Sequence, residues 1–422
     1  MKKTLITIFI LLGFLKIQAQ NPYQPVNENR ILVPSFQFQS FTLDPRSAGL
    51  GNASIALSPD ANSPYFNPSK LVFLNETISC RVSSRDTNSS YFNQSKQIFL
   101  NDRNDGIKRD TISSGISLNY VPYAPNLIEG QHLYSVSMFR IDEKRNEALS
   151  LVVKYFNAGN VPIRDNVGNL IENCNNFEYS LAGAWSKKVS EKSALSVGAK
   201  YTFSSLTGKI GVNGIEANTA SALAFDLYYF HNGNVKGNKN SWLNYAFTLT
   251  NIGSKIQYKD YTERNFQPTT FKAGMSQNFI FGKQRRNNLQ LTLEAGKLLI
   301  PTPPIRSENH EIIKGTDEKS ISGFGTIWQS WGTAPDGFSE HLKEITYSVG
   351  GEFTFHKFIT GRAGYFYQNP EKGNLQFFTV GLGAKVKRIN LNVSYLITTK
   401  TNPTLQKNMW SFGLAYLIPR SK

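Results

Sequence analysis

The chain has 422 residues, 40% of them hydrophobic and 13% aromatic, with a mean hydropathy of −0.33 and a formal charge of +16. A bundle of membrane helices is excluded, because no uninterrupted apolar run of 18 or more residues occurs. A β-barrel is not excluded: its lumen-facing side chains are polar, and the 29 Phe and 19 Tyr suit a sheet with aromatic girdles.

Residues 1–19 read as a signal peptide. Lys2 and Lys3 form the basic start, Leu5 to Leu15 the apolar stretch, and Ile17-Gln18-Ala19 the cleavage site before Gln20. The stretch is too short to cross a bilayer as a helix, and no Cys stands at the cleavage point to carry a lipid. Removing Lys2, Lys3 and Lys16 takes the charge from +16 to +13. On an exported chain such a surface points to outer-membrane lipid and lipopolysaccharide rather than to nucleic acid, or its cations simply solvate loops.

Residues 20–75 are rich in Asn, Ser, Pro and Gly and lack strand alternation. The apolar cluster Leu71-Val72-Phe73-Leu74 nevertheless needs burial, which predicts an N-terminal plug, or hatch, over 20–75. Residues 76–112 read as an insertion or an extension of that plug.

From residue 113 the pattern changes to short alternating segments. Ile389-Asn-Leu391-Asn-Val393-Ser-Tyr395-Leu-Ile397 is the clearest, and Leu195 to Phe203 has the same rhythm. Successive strand side chains point to opposite faces, so each segment carries one apolar and one polar face. Fourteen strands are predicted, at 113–121, 131–141, 147–157, 176–187, 193–205, 220–231, 242–252, 268–280, 287–299, 342–355, 358–369, 374–387, 389–398 and 408–418. The fold class is therefore all-β: a 14-stranded antiparallel transmembrane outer-membrane β-barrel over 113–418, with a plug inside and a periplasmic tail at 419–422. Alternate connections are mostly short (142–146, 188–192, 232–241, 281–286, 356–357, 388). The others are mostly longer (122–130, 158–175, 206–219, 253–267, 300–341, 370–373, 399–407). Short periplasmic turns and longer outer loops put both termini in the periplasm. The alternation also turns Lys154, Lys200, Glu294, Glu352, Arg362 and Lys385 toward the lumen, because a Lys or Arg facing lipid would cost roughly 2–4 kcal/mol. Cys80 and Cys174 fall on opposite sides of the membrane in this topology, so no bridge between them is expected.

No catalytic chemistry stands out. His132, His231, His310, His341 and His356 have no ligand-like spacing, so no metal site is expected, and no nucleophile elbow or phosphate-binding loop is present. No cofactor is implied. The longest outer loop, 300–341, carries Trp328, Trp331 and Phe338. Loops of that length are usually functional or disordered. Its aromatics suit either a partner or the membrane interface.

Three segments carry a family resemblance. The first runs Leu43-Asp44-Pro45-Arg46-Ser47-Ala48-Gly49-Leu50-Gly51-Asn52-Ala53 and resumes at Ser58-Pro59-Asp60-Ala61-Asn62-Ser63-Pro64-Tyr65-Phe66-Asn67-Pro68-Ser69-Lys70-Leu71. The second is Lys154-Tyr155-Phe156-Asn157-Ala158-Gly159. The third spans Gly337-Phe338, then Glu344 to Glu352 and Arg362 to Tyr367. Together they resemble the PorV family of the type IX secretion system of Bacteroidota, barrels similar to the fatty-acid transporter FadL. The resemblance implies a non-catalytic outer-membrane subunit. Such a subunit binds the C-terminal signal domain of secreted cargo, associates with the outer-membrane translocon and delivers cargo to a sortase-like attachment protease. Asp44, Arg46, Gly49, Gly51, Asn67 and Pro68 are then structural residues of the hatch: the glycines allow close backbone approach and Asn67-Pro68 marks a turn. Trp328, Trp331 and Phe338, with Arg164 and Arg306, are the expected partner-binding residues, since large aromatics and Arg dominate such contacts. The alternative, resting on barrel architecture alone, is a FadL-like transporter of hydrophobic small molecules. A surface enzyme is a third reading, for which the sequence offers no nucleophile–base pair.

Overall fold

The computed structural model describes residues 30–75, 111–123, 130–164, 167, 169–211, 214–233, 240–259, 263–282, 286–307, 309, 311–399 and 408–420. Fourteen antiparallel strands close into a barrel. They are β1 Ile112–Pro122, β2 Gln131–Asp142, β3 Glu147–Arg164, β4 Leu170–Lys188, β5 Ser193–Gly211, β6 Gly214–His231 and β7 Ser241–Gly253. The second half comprises β8 Thr270–Phe281, β9 Asn287–Leu298, β10 Ile345–Phe355, β11 Ile359–Tyr367, β12 Gln376–Val386, β13 Ile389–Thr398 and β14 Trp410–Pro419. Every strand pairs with its neighbours in sequence, and β1 closes the ring against β14, with Tyr120 opposite Phe412. Closure leaves no unpaired edge at the level of the membrane, which a sheet in lipid requires. Each of the fourteen spans predicted from alternation corresponds to one of these strands.

Alternation builds the two faces of the wall. In β2, Leu133, Ser135, Ser137 and Phe139 are buried, whereas Tyr134 and Met138 are exposed. Around the ring Leu118, Leu149, Leu181, Val197, Leu293, Leu382 and Leu414 also stand exposed. A contiguous apolar belt of this kind marks a membrane face. On the arc from β13 through β1 to β4 aromatic rings border it in an unbroken chain: Tyr395–Trp410 at 4.6 Å, Trp410–Phe412 at 6.2 Å, Phe412–Tyr120 at 6.4 Å, Tyr120–Tyr134 at 5.1 Å, Tyr134–Tyr155 at 6.5 Å and Tyr155–Phe177 at 6.2 Å. Amphipathic rings favour the headgroup level.

The rim that holds Ile112 and Pro419 carries the connections 143–146, 189–192, 232–240, 282–286, 356–358 and 387–388. The opposite rim carries 123–130, 165–169, 212–213, 254–269, 299–344, 368–375 and 399–409. Two expectations need correction here. Most of 158–175 and of 206–219 is strand, because β3, β4, β5 and β6 run to 18 or 19 residues. A tilted transmembrane strand needs only about 9–11. Past Tyr155, β3 continues to Arg164, about 30 Å of strand beyond the girdle. In that projection no lipid face demands apolar residues, so the alternation that reveals strands lapses while the backbone ladder continues. Pro162 lies there, past Ala158 where β3 loses β2 as a partner, on the kind of open edge where sheets tolerate proline.

Lys154, Lys200, Glu294, Glu352, Arg362 and Lys385 lie on the lumen side of their strands. Residues 30–75 fill that lumen as a plug of short helical turns, Gln37–Ser40, Pro45–Ala48, Ser63–Phe66 and Pro68–Phe73. Its Leu43, Leu50, Ile55, Leu57, Leu71, Phe73 and Leu74 are fully buried. Residues 1–29, which include the expected signal peptide, residues 76–110 and Cys80 lie outside the described residues. Cys174 stands on β4 opposite Val161, with its side chain outside them.

Candidate docking face

The hatch motif is built to seat the plug. Asp44 caps Pro45–Ala48, accepting from Arg46 N at 3.0 Å and Ser47 N at 3.1 Å, and Pro45 fits the first helical position, where no N–H is needed. Asn62 Nδ2 donates to the same Asp44 carboxylate at 2.7 Å. Arg46 then spends all five of its donors. Nε and Nη2 grip Glu352 of β10 at 2.9 Å each, Nη1 donates to Asp60 at 2.7 Å and Ser58 O at 2.9 Å, and Nη2 reaches Gln290 of β9 at 3.1 Å. A buried guanidinium is tolerable only when paired and satisfied in this way. Glu294 of β9 plays the converse part, accepting the Ser54 and Ile55 backbone N–H groups at 2.7 and 3.0 Å. Asn67 caps Pro68–Phe73 through Ser69 N at 3.2 Å and donates to Tyr229 O of β6 at 3.1 Å.

The glycines are read from both sides of this seat. Gly51 has φ 65°, and a Cβ there would lie 2.5 Å from Tyr365 O of β11; one at Gly49 would lie 3.3 Å from Gly381 Cα of β12. On the wall, a Cβ at Gly364 would strike the Leu50 and Gly51 backbone, and one at Gly350 would lie 2.7 Å from Leu50 O. Glycine faces glycine so that two backbones can touch.

At the rim opposite the chain ends, 299–344 folds into a cap. Ile305–Arg306 pairs with Ile312–Lys314, Thr326–Gln329 makes a helical turn, and Phe338–Lys343 makes another that opens at Gly337, φ 68°. Its foundation is a buried ion network. Glu344, just before β10, takes Lys297 of β9, Lys372 at 3.2 Å and the Thr302 hydroxyl at 2.6 Å. Lys372 also holds Glu340 at 2.6 Å. Arg30 ties the start of the plug to Asp336 at 2.6 Å and Glu340 at 3.3 Å. Burial alone would push the Glu344 carboxyl up, yet the hydrogen bond from Lys297 and the ammonium groups around it hold it below the usual carboxylate range. The Asp336 carboxyl is likewise held down by hydrogen bonds from Arg30 and Lys314.

On this cap Trp328 is 79% and Phe338 74% exposed, and Phe324 is also exposed. Trp331 is 46% exposed, with Lys297 Nζ lying 5.3 Å over its ring. Arg306 sits on the same cap but is engaged by Glu318 at 3.2 Å. Arg164 ends β3, and its side chain lies outside the described residues. The cap thus brings Trp328, Trp331, Phe338 and Arg306 onto one folded segment, with Arg164 on a different element. Sequence reasoning missed the network beneath. Its members lie at 30, 297, 336, 340, 344 and 372, a spacing that carries no local signal.

A family model for the type IX secretion system protein PorV matches residues 82–305. No curated protein matches. Among solved structures the chain is similar to the toluene transporter TodX of P. putida, at 10% identity, covering 89% of this chain and 98% of that one, with a TM-score of 0.47. It is also similar to the toluene transporter TbuX of Ralstonia pickettii (10% identity, 89% and 97% covered, TM-score 0.42). A FadL homologue of Pseudomonas aeruginosa gives 11% identity, 93% and 99% covered, and a TM-score of 0.41.

Proposed function

Because the chain belongs to the PorV family of type IX secretion system proteins, and so serves that system as an outer-membrane barrel, we propose that it receives the C-terminal signal domain of secreted cargo on the cap. On this reading both chain ends lie in the periplasm and the cap faces the cell exterior. The protein stands beside the outer-membrane translocon and passes cargo to a sortase-like attachment protease, and its role is non-catalytic. The observation that carries this is the pairing of rigidity with exposure. Trp328 and Phe338 stand out on a segment anchored by the buried Lys297–Glu344–Lys372–Glu340 network. Aromatics held in place before binding lose little entropy on docking and make strong anchors. Trp331 and Arg306 would extend the contact, and Arg164 at the tip of β3 would reach it from the tall wall.

The plug favours a surface role over a conduit for hydrophobic small molecules, which would need an apolar path past it. Arg46 fixes the plug to β9 and β10, and the cavity under it mixes charged and polar residues such as Arg46, Asp60, Glu352 and Asn392 with apolar ones such as Leu74 and Leu417, so it is not an apolar path. The test is deletion of the gene. Signal-bearing cargo should accumulate in the periplasm; normal delivery to the surface would overturn the proposal.

A further inference from the structure

A second site lies at the other end of the lumen. Between the underside of the plug, at Pro59–Asn62, and the inner wall of β10 to β14 there is a cavity of about 100 Å³. Lys357 of the β10–β11 turn, Lys385 at the end of β12 and Leu417 near the end of β14 border it, so it opens toward the rim that holds the chain ends. Among the described residues its charged lining is Arg46, Arg362, Lys357 and Lys385 with Asp60 and Glu352.

The pairing inside the cavity leaves one donor over. Arg46 is saturated, as described above. Arg362 gives Nε to Glu352 at 2.7 Å, sharing an oxygen that also accepts from Arg46. The Arg362 side chain is only 5% exposed, yet its Nη1 is buried and has no hydrogen-bond partner among the described residues. Leaving a buried donor of a charged group unmade costs several times what a surface one does. The position is built rather than incidental. A Cβ on Gly383 of β12 would lie 2.8 Å from both Nη1 and Nη2 of Arg362 and 2.7 Å from Asn392 Oδ1. Glycine there lets both Nη1 and Nη2 lie close against β12 beside a cavity that Arg362 lines, and a guanidinium fork matches carboxylate and phosphate oxygens.

We propose that this cavity is an oxyanion site, open to the periplasmic side, in which Arg362 Nη1 takes a carboxylate or phosphate group while Lys357 and Lys385 supply the surrounding positive field. The volume accommodates one such group with a few waters, whose share of liquid volume is about 30 Å³ each. An anion bound here sits against both plug and wall. The shared chemistry has two sources, a peptide carboxylate or a phosphate, free or on a headgroup.

The test uses the full chain in detergent, titrated calorimetrically with inorganic phosphate and separately with acetate at constant ionic strength, which removes general screening as a cause. Saturable binding of either probe is expected. Binding of phosphate alone points to phosphates and headgroups, of acetate alone to peptide carboxylates, and of both to an unselective oxyanion seat. Arg362→Gln should weaken binding at least tenfold. Since Arg362 also supports Glu352, two further variants guard against a displaced plug. Gly383→Ala keeps every charge but pushes the guanidinium off the wall, and Lys385→Gln leaves the Arg46–Glu352–Arg362 set intact; both should weaken binding, the first more. No saturable binding of either probe to the unaltered protein, or equal binding by Arg362→Gln and Gly383→Ala, would overturn the proposal and leave the guanidinium simply hydrated.

Discussion

The plug and the cap are both irregular chain held against the same strands, and both are fastened by buried cations shared among carboxylates. Arg46 and Arg362 meet on Glu352 in the lumen. Lys297 and Lys372 meet on Glu344 at the rim. They differ in what they do with apolar side chains. The plug buries Leu43, Leu50, Leu57, Leu71, Phe73 and Leu74 and brings its backbone into contact with wall glycines, whereas the cap leaves Trp328, Phe338 and Phe324 in the open. Similar electrostatic fastening therefore serves two ends. In the plug it holds buried chain against the inner wall; in the cap it underlies a surface that leaves its aromatics exposed.

The comparison breaks most severely at Arg46. Arg46→Ala leaves Asp60 without its cation and Glu352 with one of two, which should cost about 3–5 kcal/mol, the range for removing one partner of a buried pair. Because the barrel ladder does not depend on Arg46, the damage should stay in the plug. Protease should then cut within 44–62 while the heat-modifiable migration of the barrel on gels is unchanged. Equal protection of the variant plug would mean that apolar burial, not the ion cluster, holds it. Gly364→Ala attacks the same seat from the wall side. Its Cβ collides with the Leu50 and Gly51 backbone, and forced overpacking costs about 1–3 kcal/mol. The same proteolysis assay should show partial release, and none if the plug can shift.

How much of this was legible follows from the same physics. Lipid on one side and a wet lumen on the other impose strict alternation, so fourteen strands and the inward set Lys154, Lys200, Glu294, Glu352, Arg362 and Lys385 could be read along the sequence. Where lipid ends the constraint ends, and the extensions of β3 to β6 read as loops although their ladders continue. The plug was visible as the need of Leu71 to Leu74 for burial and as a motif, but the partner of Arg46 was not. Glu352 lies 306 residues away, and nothing local joins them. The three segments that suggested the family also behave unequally, since only Lys154–Gly159 falls inside the matched residues 82–305. The network under the cap left no trace for the same reason as the Arg46 pair: its members lie far apart in the chain and come together only when the cap, the start of the plug and the β11–β12 connection pack on one another.

On the cap, truncation should leave the fold alone and touch only recognition. Phe338→Ala removes a side chain that packs on little of its own chain, so plug and barrel protection should not change. Affinity for an isolated cargo signal domain should fall by about 2 kcal/mol, roughly 30-fold, if Phe338 is one of the few residues that dominate the contact. Trp328→Ala should act alike. A full loss with both and none with Arg306→Ala, whose charge Glu318 already engages, would sharpen the aromatic reading. Unchanged affinity in Phe338→Ala would remove it from the face.

The smallest effect expected is that of acid on the cap. Glu344 and Asp336 are held below the usual carboxylate range in the folded protein, so in acid the unfolded cap binds more protons than the folded one. Their contribution is complete above the unfolded carboxylate pKa, about 4, and is lost as pH falls through the lower folded values. Hydrogen exchange over 311–344 should therefore be insensitive to pH between about 8 and 5, once corrected for intrinsic rates, and should accelerate below about 4. Glu344→Gln should blunt that acceleration, because it removes the carboxylate that Lys297 and Lys372 share, at the cost of a looser cap at neutral pH. Protection that persisted unchanged into acid would show that the cap rests on packing, with Trp331 over Lys297, rather than on the ion network.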